Sequence, residues 1–328
     1  MTKMYVGIDV SQKTFDVAYA KGTGIVAIQL ENNVRGFSSL YELLKPLGSG
    51  PCAHCVMEAS GPYYLPLATY LHEAGLEVSV VNPLVVKRFS QMRLLRAKTD
   101  RQDAKCLLSY AVTEQPPLWA PVALYMNELS QLQALLDQYV KQQTALKNQL
   151  HAQKASGLKN DAFHASAQKI LQTLEAEIAD LEQQMENLAK QHHKGQMEAV
   201  QTIPGIGRKT ALVLTLITHG FSRFESAKQL ASYVGICPRV FQSGTSVKGK
   251  NRICKLGTAR VRKLLYLCAM QAIKVNQPCK ELYQRLLQAG KPKMKAIIAV
   301  AHKLIRQILA VGKSQTTFVQ NFGLNLGY

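Results

Sequence analysis

The chain has 328 residues, 47% of them hydrophobic, and carries 40 Lys and Arg against 21 Asp and Glu, a formal net charge of +19. That is apolar material for two or three domains, while no apolar run approaches the ~18 residues that a membrane span requires. The opening MTKMYVGIDV lacks the basic, apolar and small-residue blocks of a signal peptide, so a cytoplasmic protein with no membrane partner is expected. Seven cysteines at irregular spacing fit a reducing compartment and form no disulfide framework. Cys52 and Cys55 make one C-x-x-C around His54, but no second pair stands at ligand spacing, and plain thiols are the preferred reading over zinc or redox chemistry.

In chain order, the first part, residues 1–120, alternates strands and helices. MYVGIDV and TFDVAYA read as strands joined by the turn SQK, and GIVAIQL completes an antiparallel meander. GFSSLYELLKPL is helical, AHCVMEAS a short buried strand, YYLPLATYLHEAG a helix closed by Gly75, and LEVSVVN a strand stopped by Pro83. A meander followed by β-α-β alternation predicts an α/β fold, a mixed sheet flanked by helices.

An unpaired acid where a buried strand leaves its apolar run costs several kcal/mol. Asp9 ends YVGID and Glu58 ends CVME, so if these strands are adjacent and parallel, both carboxylates emerge at one edge of the sheet. Asp100 and Asp103, in KTDRQDAKCLL, are three apart on a helix that Thr99 caps, and share a face. Four converging carboxylates repel one another. Divalent cations relieve this, and oxygen-only donors on a phosphate-handling protein favour Mg²⁺ or Mn²⁺. Two such ions ~3.5 to 4 Å apart clamp the attacking and leaving oxygens of a phosphodiester. A solvated, salt-bridged face is the plainer reading of Asp100 and Asp103, with Lys98, Arg101 and Lys105 beside them; the placement of all four acids together favours metal.

The second part, residues 121–195, changes period. Leu129, Leu132, Leu136, Tyr139, Gln143, Leu146 and Leu150 step by three and four without a slip, as do Leu171, Leu174, Ile178, Leu181, Met185, Leu188 and His192. Two heptad helices joined across SGLKND predict an antiparallel coiled coil, formed within the chain or between subunits. The polar Gln143 in one seam points to register control and oligomerisation.

The last part, residues 196–328, is helical and holds 21 basic against three acidic side chains, the electrostatic footprint of a polyphosphate partner. IPGIGRKTALVLTLI has the pattern of a helix-hairpin-helix turn. Gly205 and Gly207 let the backbone approach a phosphate, whose charge meets the N–H groups of the following helix, with Arg208 and Lys209 alongside. Such a grip holds backbone rather than sequence. Further on, residues 237–263 contain no Asp or Glu, eight Lys or Arg and four hydroxyl side chains. Arg239, Lys248, Lys250, Arg252 and Lys255 are placed to neutralise a phosphate, and Ser243, Ser246, Thr245 and Tyr233 to attack one; the residues alone do not separate Ser243 from Ser246. The nearest histidines in sequence, His219 and His302, have no evident relation to these hydroxyls.

With GIDVSQKTFDV, MEASGPY, VNP, KTDRQDA, IPGIGRKTA, YVGICPR and SGTSVKGKNRICKLG in order, nearly the whole chain resembles the insertion-sequence transposases of the IS110 family. The resemblance implies an N-terminal RuvC-like (RNase H-fold) domain with a D-E-D-D set, a coiled-coil middle and a C-terminal transposase domain carrying a serine. Carried over, the acids are Asp9, Glu58, Asp100 and Asp103, and the serine is the first of SGTS, Ser243. It further implies a non-coding bridge RNA that pairs with target and donor DNA. A nucleoid-associated homo-oligomer, a tetramer, is also implied, with one subunit's serine meeting another's acids.

The expected function is therefore DNA strand exchange through a phosphoserine link. Two other readings stand beside it: a metal-dependent nuclease or junction resolvase in which water attacks, and a non-catalytic nucleic-acid scaffold. A nucleotide-binding enzyme is disfavoured, because GIGRKT lacks the Gly-x-x-x-x-Gly-Lys spacing of a phosphate loop.

Overall fold

A computed structural model of the full chain describes residues 3–45, 53–94, 99–157, 160–239, 242–243, 247–248 and 252–320. The chain divides into two compact units, Met1–Val122 and Ala123–Tyr328.

The first unit is built on a five-stranded mixed sheet. Strands β1 (Tyr5–Val10), β2 (Thr14–Lys21) and β3 (Gly24–Glu31) form the antiparallel meander, and β4 (His54–Glu58) and β5 (Glu77–Val81) run parallel to β1, giving the order β3-β2-β1-β4-β5. Because side chains alternate across a strand, each residue's parity decides its side of the sheet. Val6, Ile8, Phe15, Val17, Cys55 and Met57 bury one face beneath Phe37 and Leu40 of α1 (Val34–Leu44) and Leu67 and Leu71 of α2 (Leu65–Glu73). The other face carries Ala18 and Val56, covered by Ala104, Leu107 and Leu108 of α4 (Asp100–Glu114). Gly7 belongs to this second face: a Cβ there would run into the backbone of Ala104 and Leu108, so the glycine is what lets α4 lie directly on β1.

One helix of this unit goes beyond the sequence pattern, which predicts a strand stopped by Pro83 and no element directly after it: α3 spans Pro83–Met92. Asn82 caps it, its side chain accepting from the Leu84 N–H at 2.8 Å, with proline at the first helical position; this is a start signal in its own right. Beyond α4 the chain returns along β5, where the Trp119 N–H donates to the Val78 carbonyl at 2.7 Å and the Ser79 hydroxyl to that of Pro117 at 2.7 Å.

In the second unit, α5 (Leu124–Ser156) and α6 (Asp161–Gln201) fold back on each other within the chain. Gly157 closes α5 at a φ of 73° in the left-handed region, and the Asn160 side chain opens α6 by accepting from the Phe163 N–H at 3.0 Å. Every expected seam position is buried or half-buried except His192, which is exposed. Gln143 Nε2 donates to Glu175 Oε1 at 3.4 Å and Lys147 pairs with the same carboxylate at 3.0 Å, so the polar seam residue has a partner within the chain. The end of α6 shares a core with α7 (Arg208–Ile217), α8 (Ala227–Val234), α9 (Ala259–Val275) and α11 (Lys293–Ser314), through Val200, Ile203, Leu214, Leu265, Leu304 and Ile308. The helix α10 (Gln277–Gln288) packs on α9 and α11. Between α8 and α9 lie two short antiparallel ribbons, β6 (Pro238–Arg239) with β9 (Arg252–Ile253) and β7 (Gln242–Ser243) with β8 (Val247–Lys248). Among the described residues no helix is long and apolar enough to cross a membrane.

Candidate active site and nucleic-acid interface

The parallel register of β1 and β4 aligns Val6 with Cys55, Gly7 with Val56 and Ile8 with Met57. Asp9 and Glu58 come next on their strands, so the two acids leave neighbouring strand ends on the face that α4 covers. The first turn of α4 contributes the other pair. Thr99 caps the helix, its hydroxyl accepting from the Gln102 N–H at 3.3 Å, and Asp100 and Asp103 occupy the turn that follows, where the helix dipole favours negative charge.

Asp9 feels the charges of the other three acids. The Asp9 carboxyl is pushed up to about 6, first by burial and then by the charges of Asp103, Asp100, Glu58 and Asp16. The last of these is a fifth acid that the sequence reading missed. Asp16 on β2 stands directly opposite Asp9 in the antiparallel register and is only 2% exposed. Its one signal in the sequence is a charge inside the otherwise apolar run TFDVAYA.

Among the described residues no three His, Cys, Asp or Glu side chains stand close enough together to hold an ion between them. The acids are gathered but not closed into a ligand shell, as expected of like charges that hold one another apart. The donor chemistry nevertheless fits a divalent cation: every donor is a hard carboxylate oxygen, and the repulsion that adds to burial in raising Asp9 is what such a cation removes. Cys55 lies on the apolar face with its thiol pushed up to about 12 by burial, while His54, on the opposite face, is within 2.7 Å of the Ser79 hydroxyl. Cys52 lies outside the described residues, as does Lys98.

In the second unit the glycine turn precedes α7. Gly205 has a φ of +101°, and a Cβ there would come within 2.9 Å of the Ala272 backbone on α9; Gly207 caps α7 with nothing within 4 Å of its Cβ position. One glycine is thus required by packing, and the other leaves the helix N-terminus open. The cations beside them already have partners on α6. Arg208 is paired with Glu186, and Lys209 lies 2.7 Å from Glu182. Glu186, held also by Lys190 at 2.7 Å, keeps its carboxyl below the usual range because of hydrogen bonds from Arg208 and then Lys190. Glu182, Glu186, Arg208 and Lys209 line a cleft of about 290 Å³ between α5, α6, α7 and α9, together with Arg260, which pairs with Asp137.

Ser243 sits in β7, in register with Val247. At the neck of the same loop Arg239 faces Arg252 across β6 and β9, both exposed. The neck is closed by the Cys254 N–H donating to the Cys237 carbonyl at 2.9 Å and the Lys255 N–H donating to the Gly235 carbonyl at 3.1 Å. Thr245, Ser246 and Lys250 lie outside the described residues, and of Lys248 only its place in β8 is described. Tyr233 is engaged elsewhere: its hydroxyl accepts from Arg223 at 3.4 Å, and that guanidinium lies 4.6 Å from the ring centre.

Carboxylates gathered at adjacent strand ends, in a chain whose second unit is strongly basic, are the arrangement expected of an enzyme that works on phosphodiesters. Two family models match the chain, a transposase model for the DEDD members of IS110 over residues 6–153 and that of the Transposase IS116/IS110/IS902 family over residues 197–284. The chain is 32% identical to the pilin gene-inverting protein of Moraxella bovis over 97% of its own length and 98% of that protein's. It therefore belongs to the IS110 family of transposases and is a DNA transposase or recombinase. A second relative, the transposase for insertion sequence element IS1111A of Coxiella burnetii, is 25% identical over 80% of this chain and 78% of that protein. Among solved structures, Thermus thermophilus RuvC in complex with Holliday junction substrate superposes with a TM-score of 0.27 and 11% identity, covering 36% of this chain and all of that one; a match that loose carries no argument.

Proposed function

We propose that this recombinase cuts and rejoins DNA through a transient phosphoserine link on Ser243, with Mg²⁺ or Mn²⁺ held by Asp9, Glu58, Asp100 and Asp103 of an RNase H-like, RuvC-like first domain. The observation that carries the reading is the common field of the acids: burial and the charges of Asp103, Asp100, Glu58 and Asp16 together push Asp9 up to about 6. When bound, the cation supplies Lewis-acid stabilisation of the phosphate's charge.

In the proposed step, Ser243 Oγ bonds to phosphorus as the bond from phosphorus to one deoxyribose oxygen breaks. The proton lost by the serine is balanced by the one the departing oxygen gains. The energy of the old ester stays in the new one, so attack by another deoxyribose hydroxyl reseals DNA without ATP. Arg239, Lys248, Lys250, Arg252 and Lys255 neutralise the pentacovalent phosphorus. Gly205, Gly207, Arg208 and Lys209, as a helix-hairpin-helix turn, hold the duplex backbone. In this division of labour residues 1–120 carry the acids, 121–195 form a coiled coil and 196–328 carry the serine, working in a homo-tetramer with sites shared between subunits. Sequence choice is left to a bridge RNA that pairs with target and donor DNA. The Moraxella relative, named for inverting a gene, supports exchange that conserves both strands.

The test is co-expression with the element's flanking non-coding DNA, followed by denaturing electrophoresis of the DNA-bound protein. Wild type and Ser246→Ala give a covalent adduct and a co-purifying discrete RNA, whereas Ser243→Ala and Asp9→Ala give no adduct. An adduct from Ser243→Ala overturns the assignment. Cut ends with no adduct from wild type support the water-attacking nuclease instead.

A further inference from the structure

The field around the acid site includes one carboxylate without a role in the proposed chemistry. Asp16 lies on the face of β2 that α4 covers, between small neighbours: Ala18 is two residues along its own strand, and Gly7 and Asp9 lie opposite on β1. An apolar side chain would be the simpler occupant of a position 2% exposed, because a buried carboxylate must be satisfied and this one also repels Asp9. Gln29 Nε2 on β3 donates to Oδ2 at 2.9 Å. Among the described residues Oδ1 accepts no hydrogen bond, and Arg101 pairs with it, its Nε 3.9 Å away.

Arg101 is itself oddly placed. It stands between Asp100 and Asp103 in the first turn of α4, where the helix dipole opposes a cation. A buried anion on the sheet beneath offsets that penalty. Further along, α4 is seated by Ala104 and Leu108 against Ala18 and the gap left by Gly7. The pairing of Asp16 with Arg101 adds a contact to the sheet one turn before those apolar ones, at the end of the helix that carries two of the four acids.

We propose that Asp16 is a positioning residue for the acid site: through Arg101 it anchors the first turn of α4 on the sheet, so that Asp100 and Asp103 stand over Asp9 and Glu58. The effect on a cation rests on the metal reading above; the anchoring does not.

The test uses the full-length protein and the variants Asp16→Asn, Arg101→Gln and the double. Two readouts are taken: hydrogen exchange of the backbone amides of residues 100–107, and Mn²⁺ affinity by calorimetry. Anchoring predicts that each single variant speeds exchange in the first turn and weakens Mn²⁺ binding by about 10-fold, the usual consequence of losing a partner behind the ligands. The double variant is then no worse than either single one, because both act through one contact. Arg101 is 70% exposed, so its variant keeps the fold even if Asp16→Asn does not. Unchanged exchange in Arg101→Gln overturns the proposal. So does weakened Mn²⁺ binding confined to Asp16→Asn, which makes Asp16 a direct ligand. If wild type takes up no Mn²⁺, the metal reading fails, and hydrogen exchange still decides the anchor.

Discussion

Arg239 and Arg252 face each other across the two-stranded ribbon at the neck of the serine loop. Like charges directly opposite on antiparallel strands cost ~0.2–1 kcal/mol, and an anion between them removes the cost. Arg252→Gln is accordingly expected to leave the melting temperature level or slightly higher while weakening DNA binding. The measurement is a salt titration of duplex binding, whose slope should fall by about 1 if a phosphate contact is lost. An unchanged slope removes Arg252 from the interface.

Lys209 pairs with Glu182 at 2.7 Å beside the glycine turn. In the proposed grip, DNA phosphates would have to displace that carboxylate, which is 28% exposed. Exposed pairs of this kind are worth ~0.2–1 kcal/mol, so Glu182→Gln should tighten DNA binding by up to about 5-fold at low salt, as read by fluorescence anisotropy. Weaker binding in this variant would show that Glu182 orients Lys209 rather than competing for it.

The two glycines of the turn should separate cleanly. Gly205→Ala puts a side chain in the left-handed region and against Ala272, and should cost ~1–3 kcal/mol of stability. Gly207→Ala meets nothing among the described residues and should cost less than ~1 kcal/mol as a poorer cap. Its methyl group instead stands where a phosphate approaches the α7 N-terminus, so DNA affinity should fall with stability nearly intact. Denaturant melts and binding titrations on both variants check the contrast.

Asp9 and Glu186 should give the pH profile of stability two opposite contributions. Asp9, pushed up to about 6 by burial and then by the charges of Asp103, Asp100, Glu58 and Asp16, binds its proton more tightly folded than unfolded. In metal-free protein its charge opposes folding above about pH 6, and this penalty fades as pH falls through that value. Asp9→Asn should therefore melt higher than wild type at about pH 7.5, by a margin that shrinks towards about pH 4.5. Glu186, lowered by Arg208 and then Lys190, stabilises above the ordinary glutamate range and loses that contribution on acidification below it. Calorimetric melts across this range in chelator read both signs.

Asp9 and Glu58 were legible because each terminates an apolar run, and strand parity does the rest. Asp16 was not, because Phe15 and Val17 flank it, and in one dimension a charge between two apolar residues is what a solvent-facing strand position looks like. Only its register with Asp9 turns it inward, and register is set by the whole sheet. The partners of Arg208 and Lys209 escaped for a related reason. Glu182 and Glu186 lie one turn apart on α6 beside its apolar seam, where charge reads as solvated, and nothing local announces that α7 returns to them. Asn82 and Pro83 did announce α3. Leu84, Val85 and Val86, which follow, include β-branched residues that favour strand, so the local pattern is divided. Ser243 was selected by resemblance alone, for a glycine- and lysine-rich loop has no period from which one hydroxyl can be preferred.

The return of the chain from Pro117 to Trp119 along β5 also governs how the acid-bearing half can be studied alone. A fragment ending with α4 would strip the cover from the rim of the sheet and bare unpaired amides and carbonyls, an invitation for two copies to zip together. Any stand-alone version of that half has to be cut beyond Trp119, or its cation affinity will be measured on aggregates.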